Sequence, residues 1–181
     1  LDIGCGAGDL IDYLGKTKGC DARGMEISRS GVNACVARGL SVIQGDADTD
    51  LSAYPDDAFD HVVLSQTIQA TRQPKEVLQQ LLRIGERALV SFPNFGFWRI
   101  RFSLMRNGRM PVTRTLSAPW YSTPNIHLCT IRDFEDLCME LEAQVESILT
   151  IDQDGTAKTH KKVSSQINWL SRNALFLLRR G

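Results

Sequence analysis

Short apolar runs alternate along the chain with stretches whose apolar positions recur at helical spacing, the pattern of a largely parallel α/β sheet. Residues 1–3 end a first strand and 9–16 open the helix after it. Residues 22–27 predict a second strand, 29–38 a helix and 41–45 a third strand. FDHVVLS (Phe59–Ser65) reads as a buried fourth strand. Pro74 suits the first turn of a helix that runs to Gly85, and 87–92 form strand five. Residues 131–141 are again helical, and 144–151 and 173–179 close the sheet. With no helical pattern between those two strands, the sheet is expected to end antiparallel, joined by a polar loop over 152–162.

One segment breaks the alternation. Between Arg87 and Arg132 there is no Asp, Glu or Lys but there are seven arginines, counting both ends, and seven of the thirteen aromatic residues fall between Phe92 and Tyr121. It is too long for an ordinary connection, so 93–129 are expected to form an insertion or lid after strand five. Phe95, Phe97, Trp98, Phe102, Trp120 and Tyr121 interleave there with Arg99, Arg101, Arg106, Arg109 and Arg114. Two readings stay open: a lid whose aromatics are core, or a protein-binding surface, which aromatics and arginine favour. Stacking on single-stranded RNA is the weaker third, because the insertion lacks lysine and the chain is neutral overall.

At 181 residues the length predicts a single domain, with 21 basic against 21 acidic residues giving no bulk call for a polyanion. The five cysteines are odd in number and never spaced as a metal-binding pair, which suits reduced thiols in the cytoplasm and no metal site. No run reaches membrane-spanning length. The chain starts inside a motif, so part of the first strand is expected to lie upstream.

That motif is LDIGCGAGDL, with glycines at 4, 6 and 8 between a strand and a helix. Glycine there lets the backbone turn and approach a ligand without a Cβ in the way. A dinucleotide site wants G-x-G-x-x-G and a pyrophosphate on the helix N-terminus. Here Asp9 stands in the third glycine's place, where a carboxylate repels phosphate. The ligand expected is a nucleoside without phosphates, S-adenosylmethionine (SAM) or S-adenosylhomocysteine. Glu26, ending strand two, is placed for the ribose hydroxyls, next to Ile27. Asp46, after strand three, is placed for the adenine amino group with the Ala47 amide beside it, and Asp2 for the methionyl ammonium. The candidate set is Asp2, Gly4, Cys5, Gly6, Gly8, Glu26, Ile27, Asp46, Ala47 and Ser65.

LDIGCGAG, GMEI, GDAD and FDHVVLS together resemble the class I SAM-dependent methyltransferases. More narrowly, YPDDAFDHVVLSQTIQ, SFPNFGFW and PWYSTPNIHLCTIRDFEDLC are similar to the methionine-biosynthesis protein MetW family. The resemblance implies a seven-stranded, Rossmann-like methyltransferase sheet with helices on both faces. It also implies a role in methionine biosynthesis beside homoserine O-acyltransferase.

Catalytic groups are sparse. Methyl transfer needs alignment more than functional groups, and the segment after strand four reads Ser65-Gln66-Thr67-Ile68-Gln69, with no carboxylate or histidine. Gln66 either orients an acceptor or caps the loop. His127 is the best base candidate, although a lone histidine is more often structural. An accessory role is therefore favoured, with a small-molecule methyltransferase as the alternative.

Overall fold

The computed structural model describes residues 1–113 and 118–181; Arg114 of the insertion's arginines lies outside the described residues. In chain order the first half holds β1 (Asp2–Ile3), α1 (Asp9–Lys18), β2 (Gly24–Glu26), α2 (Arg29–Ala37), β3 (Val42–Gln44) and β4 (Phe59–Ser65). The second half holds α3 (Pro74–Ile84), β5 (Gly85–Pro93), α4 (Trp98–Asn107), α5 (Ile131–Glu140), β6 (Gln144–Ile151), β7 (Ala157–His160), α6 (Ser165–Leu170) and β8 (Asn173–Arg179).

The strands form one sheet in the order β3-β2-β1-β4-β5-β8-β6-β7. The first five are parallel, and β8, β6 and β7 follow in antiparallel pairings. The order in which strands are added reverses between β1 and β4, which are themselves parallel neighbours. Right-handed crossovers then send α1 and α2 to one face and α3 to the other, leaving a crevice at the carboxyl ends of the strands. Two of the buried clusters follow this division. Cys5, Ile11 and Cys35 make a small cluster under α1 and α2. Val77, Leu78, Leu81, Leu82 and Ile84 of α3 join the main core with Ile3, Val62, Leu64 and Val90. Phe92, Phe134 and Phe176 pack β5, α5 and β8 together with ring centroids 4.6 to 5.9 Å apart.

Local chemistry sets the ends of these elements. Ser28 Oγ accepts the Gly31 amide at 3.0 Å to start α2. Thr130 and Asp133 form a reciprocal capping box on α5. α3 passes straight into β5, whose first residue is Gly85 rather than the expected Arg87. A Cβ there would lie 2.5 Å from Val62 Cγ2, so only glycine lets the strand begin so close to β4.

Two expectations need correction. Among the described residues the sheet has eight strands, not seven, because the polar 152–162 loop contains β7, paired antiparallel with β6. β7 is an edge strand with three of its four residues exposed, so it carries no apolar alternation to read. A helix does lie between β6 and β8: α6 has six residues, too few for a periodic signal, and is capped by Ser164.

Candidate functional site

The loops after β1, β2, β3 and β4 meet at the crevice. Gly4, Gly6 and Gly8 all take left-handed backbone, with φ of +72°, +56° and +82°. A Cβ on Gly4 would lie 2.7 Å from Thr67 Oγ1, and one on Gly8 2.5 Å from Leu40 Cδ1 and 2.8 Å from Cys35 Sγ. The glycine loop is therefore held between the β4 loop on one side and α2 on the other.

Glu26 organises this loop. It is buried, its Oε2 accepts the Gly6 amide at 2.8 Å, and its Oε1 accepts the Ser28 amide at 2.8 Å. A carboxylate has about four lone-pair positions, so two amides leave acceptor capacity for further donors. Asp2 lies deeper, 6% exposed, and its Oδ1 has no hydrogen-bond partner. Burial, with the charge of Glu26 adding to it, pushes the Asp2 carboxyl from 3.8 up to about 6. An orphaned buried carboxylate beside a glycine cradle suits a ligand that carries an ammonium group.

A cleft of about 250 Å³ opens beside the glycine loop, lined in part by Ile3, Gly4, Met25, Ile27, Asp46 and Ala47. Ile27, among those lining residues, is 62% exposed. Asp46, expected to face the adenine amino group, has partners of its own: its Oδ2 is 2.6 Å from Arg72 Nη2 and its Oδ1 accepts the Asp48 amide. Cys5 is buried, and burial, then its neighbour Cys35, pushes its thiol up to about 12, which fits a packing role. Burial likewise raises Cys129 and Cys138 to about 12.

The two candidate catalytic residues do not share this cleft. Gln66 has a left-handed backbone, φ +54°, and its Nε2 donates to Ser91 Oγ at 3.3 Å, where Ser65 Oγ also lies at 3.2 Å. His127 is exposed and lines a separate, mostly apolar pocket with Pro74, Leu128 and Phe134. The Gln69 carbonyl accepts the amides of Ile126 and His127, both at 2.9 Å, and Gln69 Nε2 donates to the Gln66 carbonyl at 2.6 Å. Gln69 thus stitches the β4 loop to the chain entering α5.

The insertion divides into two kinds of surface. Phe97 and Ile100 are buried, with Phe95 and Trp98 packed on them. Trp120 and Tyr121 are 75% and 74% exposed, and Phe102, Met105 and Val112 are also exposed. For Phe102, Trp120 and Tyr121, the lid-core reading fails. An open groove along α4, lined in part by Arg99, Arg109, Met110 and Val112, shares no residue with the glycine-loop cleft.

Sequence reasoning missed Arg72, Gln69 and Asn94. Asn94 is fully buried: its Nδ2 donates to the Asn168 and Ser171 carbonyls, and its Oδ1 accepts the Gly96 and Ile131 amides. An asparagine between Pro93 and Phe95, in an otherwise apolar string, was the available signal for it. For Arg72 the signal was a lone charge in the uncharged stretch between β4 and Pro74.

The sheet order, the glycine loop and the acidic strand ends define a class I SAM-methyltransferase fold, and solved structures agree. A S-adenosylmethionine-dependent methyltransferase from Mesorhizobium loti superposes with a TM-score of 0.69 at 14% identity, over 99% of this chain and 89% of that one. One from Methanosarcina mazei gives 0.68 at 14% identity, over 99% and 90%. The family described as "Methionine biosynthesis protein MetW" matches residues 1–178. The chain belongs to that family. It is 34% identical over 163 residues to the bifunctional methionine biosynthesis protein MetXA/MetW of Rhodopirellula baltica, covering 85% of this chain. The chain spans about a quarter (26%) of that relative's length.

Proposed function

We propose that this chain binds SAM or S-adenosylhomocysteine in the glycine-loop cleft and acts with homoserine O-acyltransferase in methionine biosynthesis. The observation that carries the ligand reading is Asp2, a buried carboxylate with an orphaned oxygen next to a glycine loop held by Glu26. In this reading Asp2 receives the methionyl ammonium and Glu26 the ribose hydroxyls. Ile27 packs on the adenine, whose amino group meets Asp46 and whose ring nitrogen meets the Ala47 amide. Bound SAM would supply an activated methyl group.

An accessory role follows from what surrounds that cleft. The Gln66 side chain is turned onto Ser91, and His127 lines a different pocket, so neither of the two candidate catalytic residues lines the cleft. The fused MetXA and MetW of the Rhodopirellula baltica relative support the acyltransferase as partner. The exposed aromatics of the 93–129 insertion, with arginines and no acidic residue among them, supply a suitable surface. The alternative, a small-molecule methyltransferase, is favoured by one observation: the left-handed backbone at Gln66, a strained non-glycine conformation at the end of β4.

Calorimetry with S-adenosylhomocysteine, followed by acyltransferase assays with and without this chain and SAM, tests the proposal. Binding together with altered acyltransferase activity supports it. Efficient methyl transfer to a defined metabolite, lost in Gln66→Ala, would instead establish the alternative.

A further inference from the structure

The cleft contains a charge pair that the adenosyl reading by itself does not use. Arg72 Nη2 lies 2.6 Å from Asp46 Oδ2, while Asp46 Oδ1 accepts the Asp48 amide at 2.9 Å. Asp48 has a different task. Both its oxygens accept the Arg72 backbone amide at 3.0 Å, and its Oδ1 also accepts the Gln73 amide at 2.9 Å, tying the β3 loop to the start of α3. The backbone of this corner is thus fixed without the Arg72 side chain. The guanidinium, whose contact to Asp48 Oδ2 is a longer 3.4 Å, acts mainly on Asp46.

A carboxylate oxygen has two lone pairs, so a guanidinium on one side of Oδ2 leaves a direction open to a second donor. Asp46 and Arg72 line the same cleft as Gly4, Met25 and Ala47, and Asp46 keeps 26% of its side-chain exposure. Pinned by a charge-assisted bond and the Asp48 amide, the carboxylate cannot swing to suit whatever base arrives. An exocyclic amine meets an oriented acceptor, whereas a carbonyl in the same place sets lone pairs against lone pairs.

We propose that Arg72 is a specificity-determining positioning residue of the base pocket: by fixing Asp46 it selects a 6-amino purine over a 6-oxo purine. This rests on the adenosyl ligand proposed above. The test is calorimetry with two probes, S-adenosylhomocysteine and S-inosylhomocysteine, on the unsubstituted chain, Arg72→Ala, Asp46→Ala and the double variant. The unsubstituted chain should prefer the adenosyl probe. Arg72→Ala should cost about tenfold in adenosyl affinity and little in inosyl affinity, collapsing the ratio. In the Asp46→Ala background the same substitution should add nothing. The thermal midpoint of Arg72→Ala should stay unchanged, because the Asp48 contacts to the backbone remain.

Equal loss for both probes, additive with Asp46→Ala, would reduce Arg72 to a loop support and overturn the proposal. A gain in adenosyl affinity would overturn it too, by showing that Arg72 competes with the base for Asp46. Failure of the unsubstituted chain to bind S-adenosylhomocysteine overturns the adenosyl reading and this inference with it; binding with an unchanged probe ratio in Arg72→Ala overturns this inference alone.

Discussion

The Glu26 carboxylate bridges the Gly6 and Ser28 amides, accepting each at 2.8 Å, and so ties the end of β2 to the middle of the glycine loop and the start of α2. One side chain both builds the loop and, in the proposed function, holds the ribose. Glu26→Ala should therefore act twice. Affinity for S-adenosylhomocysteine should fall by about 1–3 kcal/mol, and stability by about 1–3 kcal/mol as two amides lose their acceptor. Calorimetry and urea unfolding read the two effects separately, and a stability loss with unchanged affinity would remove Glu26 from the ligand site.

Gly6 separates strain from occlusion. A Cβ at this position meets nothing within 4 Å, but the backbone sits at φ +56°. Gly6→Val should cost roughly 1–3 kcal/mol of stability through the left-handed backbone alone. Ligand binding should be lost altogether, because the branched side chain fills open space that the ligand needs. A folded Gly6→Val variant that binds normally would move the ligand elsewhere.

Asp2 sets a pH dependence whose sign is opposite for folding and for binding. Its carboxyl titrates at about 6 in the folded chain against an ordinary 3.8, so the folded state holds the proton more tightly. The stability that Asp2 contributes is full below 3.8 and declines as pH rises to about 6, by roughly 3 kcal/mol in total. Asp2→Asn should remove that decline and be the more stable protein at neutral pH. A cationic ammonium needs the ionised form, so S-adenosylhomocysteine affinity should rise with pH through 6 in the parent chain and stay flat in Asp2→Asn. Urea unfolding and calorimetry across that range check both.

Asn94 should prove costly to remove. It satisfies two amides and two carbonyls from the insertion, α5 and the end of α6, all out of contact with water. Asn94→Ala should lower stability by about 3 kcal/mol. Asn94→Asp should do no better, since a buried carboxylate would face the Asn168 and Ser171 carbonyls. Chemical denaturation measures both.

The two insertion tryptophans should respond differently. Trp98 is packed against Phe97, with ring centroids 6.0 Å apart, whereas Trp120 is 75% exposed and touches Tyr121 edge-on. Trp98→Ala should destabilise the fold. Trp120→Ala should leave the thermal midpoint alone yet weaken the complex with the acyltransferase by about 2 kcal/mol or more, as a buried anchor does. Normal pull-down by Trp120→Ala would put the partner surface elsewhere.

The sequence by itself determined the parallel half of the sheet, because short apolar runs there alternate with the helical periods of α1, α2 and α3. It also exposed the glycine loop and its acidic companions, whose positions at strand ends follow from local order along the chain. Tertiary structure alone decided the rest. β7 is held by backbone pairing to β6 and has no apolar alternation, and α6 is shorter than two turns. Whether an aromatic of the insertion is core or surface depends on what packs over it, so Phe97 and Trp120 look alike in the sequence and differ in the fold. The state of Asp46 depends on Arg72, 26 residues further along, brought beside it by the turn that opens α3. Periodicity reports which face of an element is buried; it carries no information about which charges from distant loops meet at the strand ends.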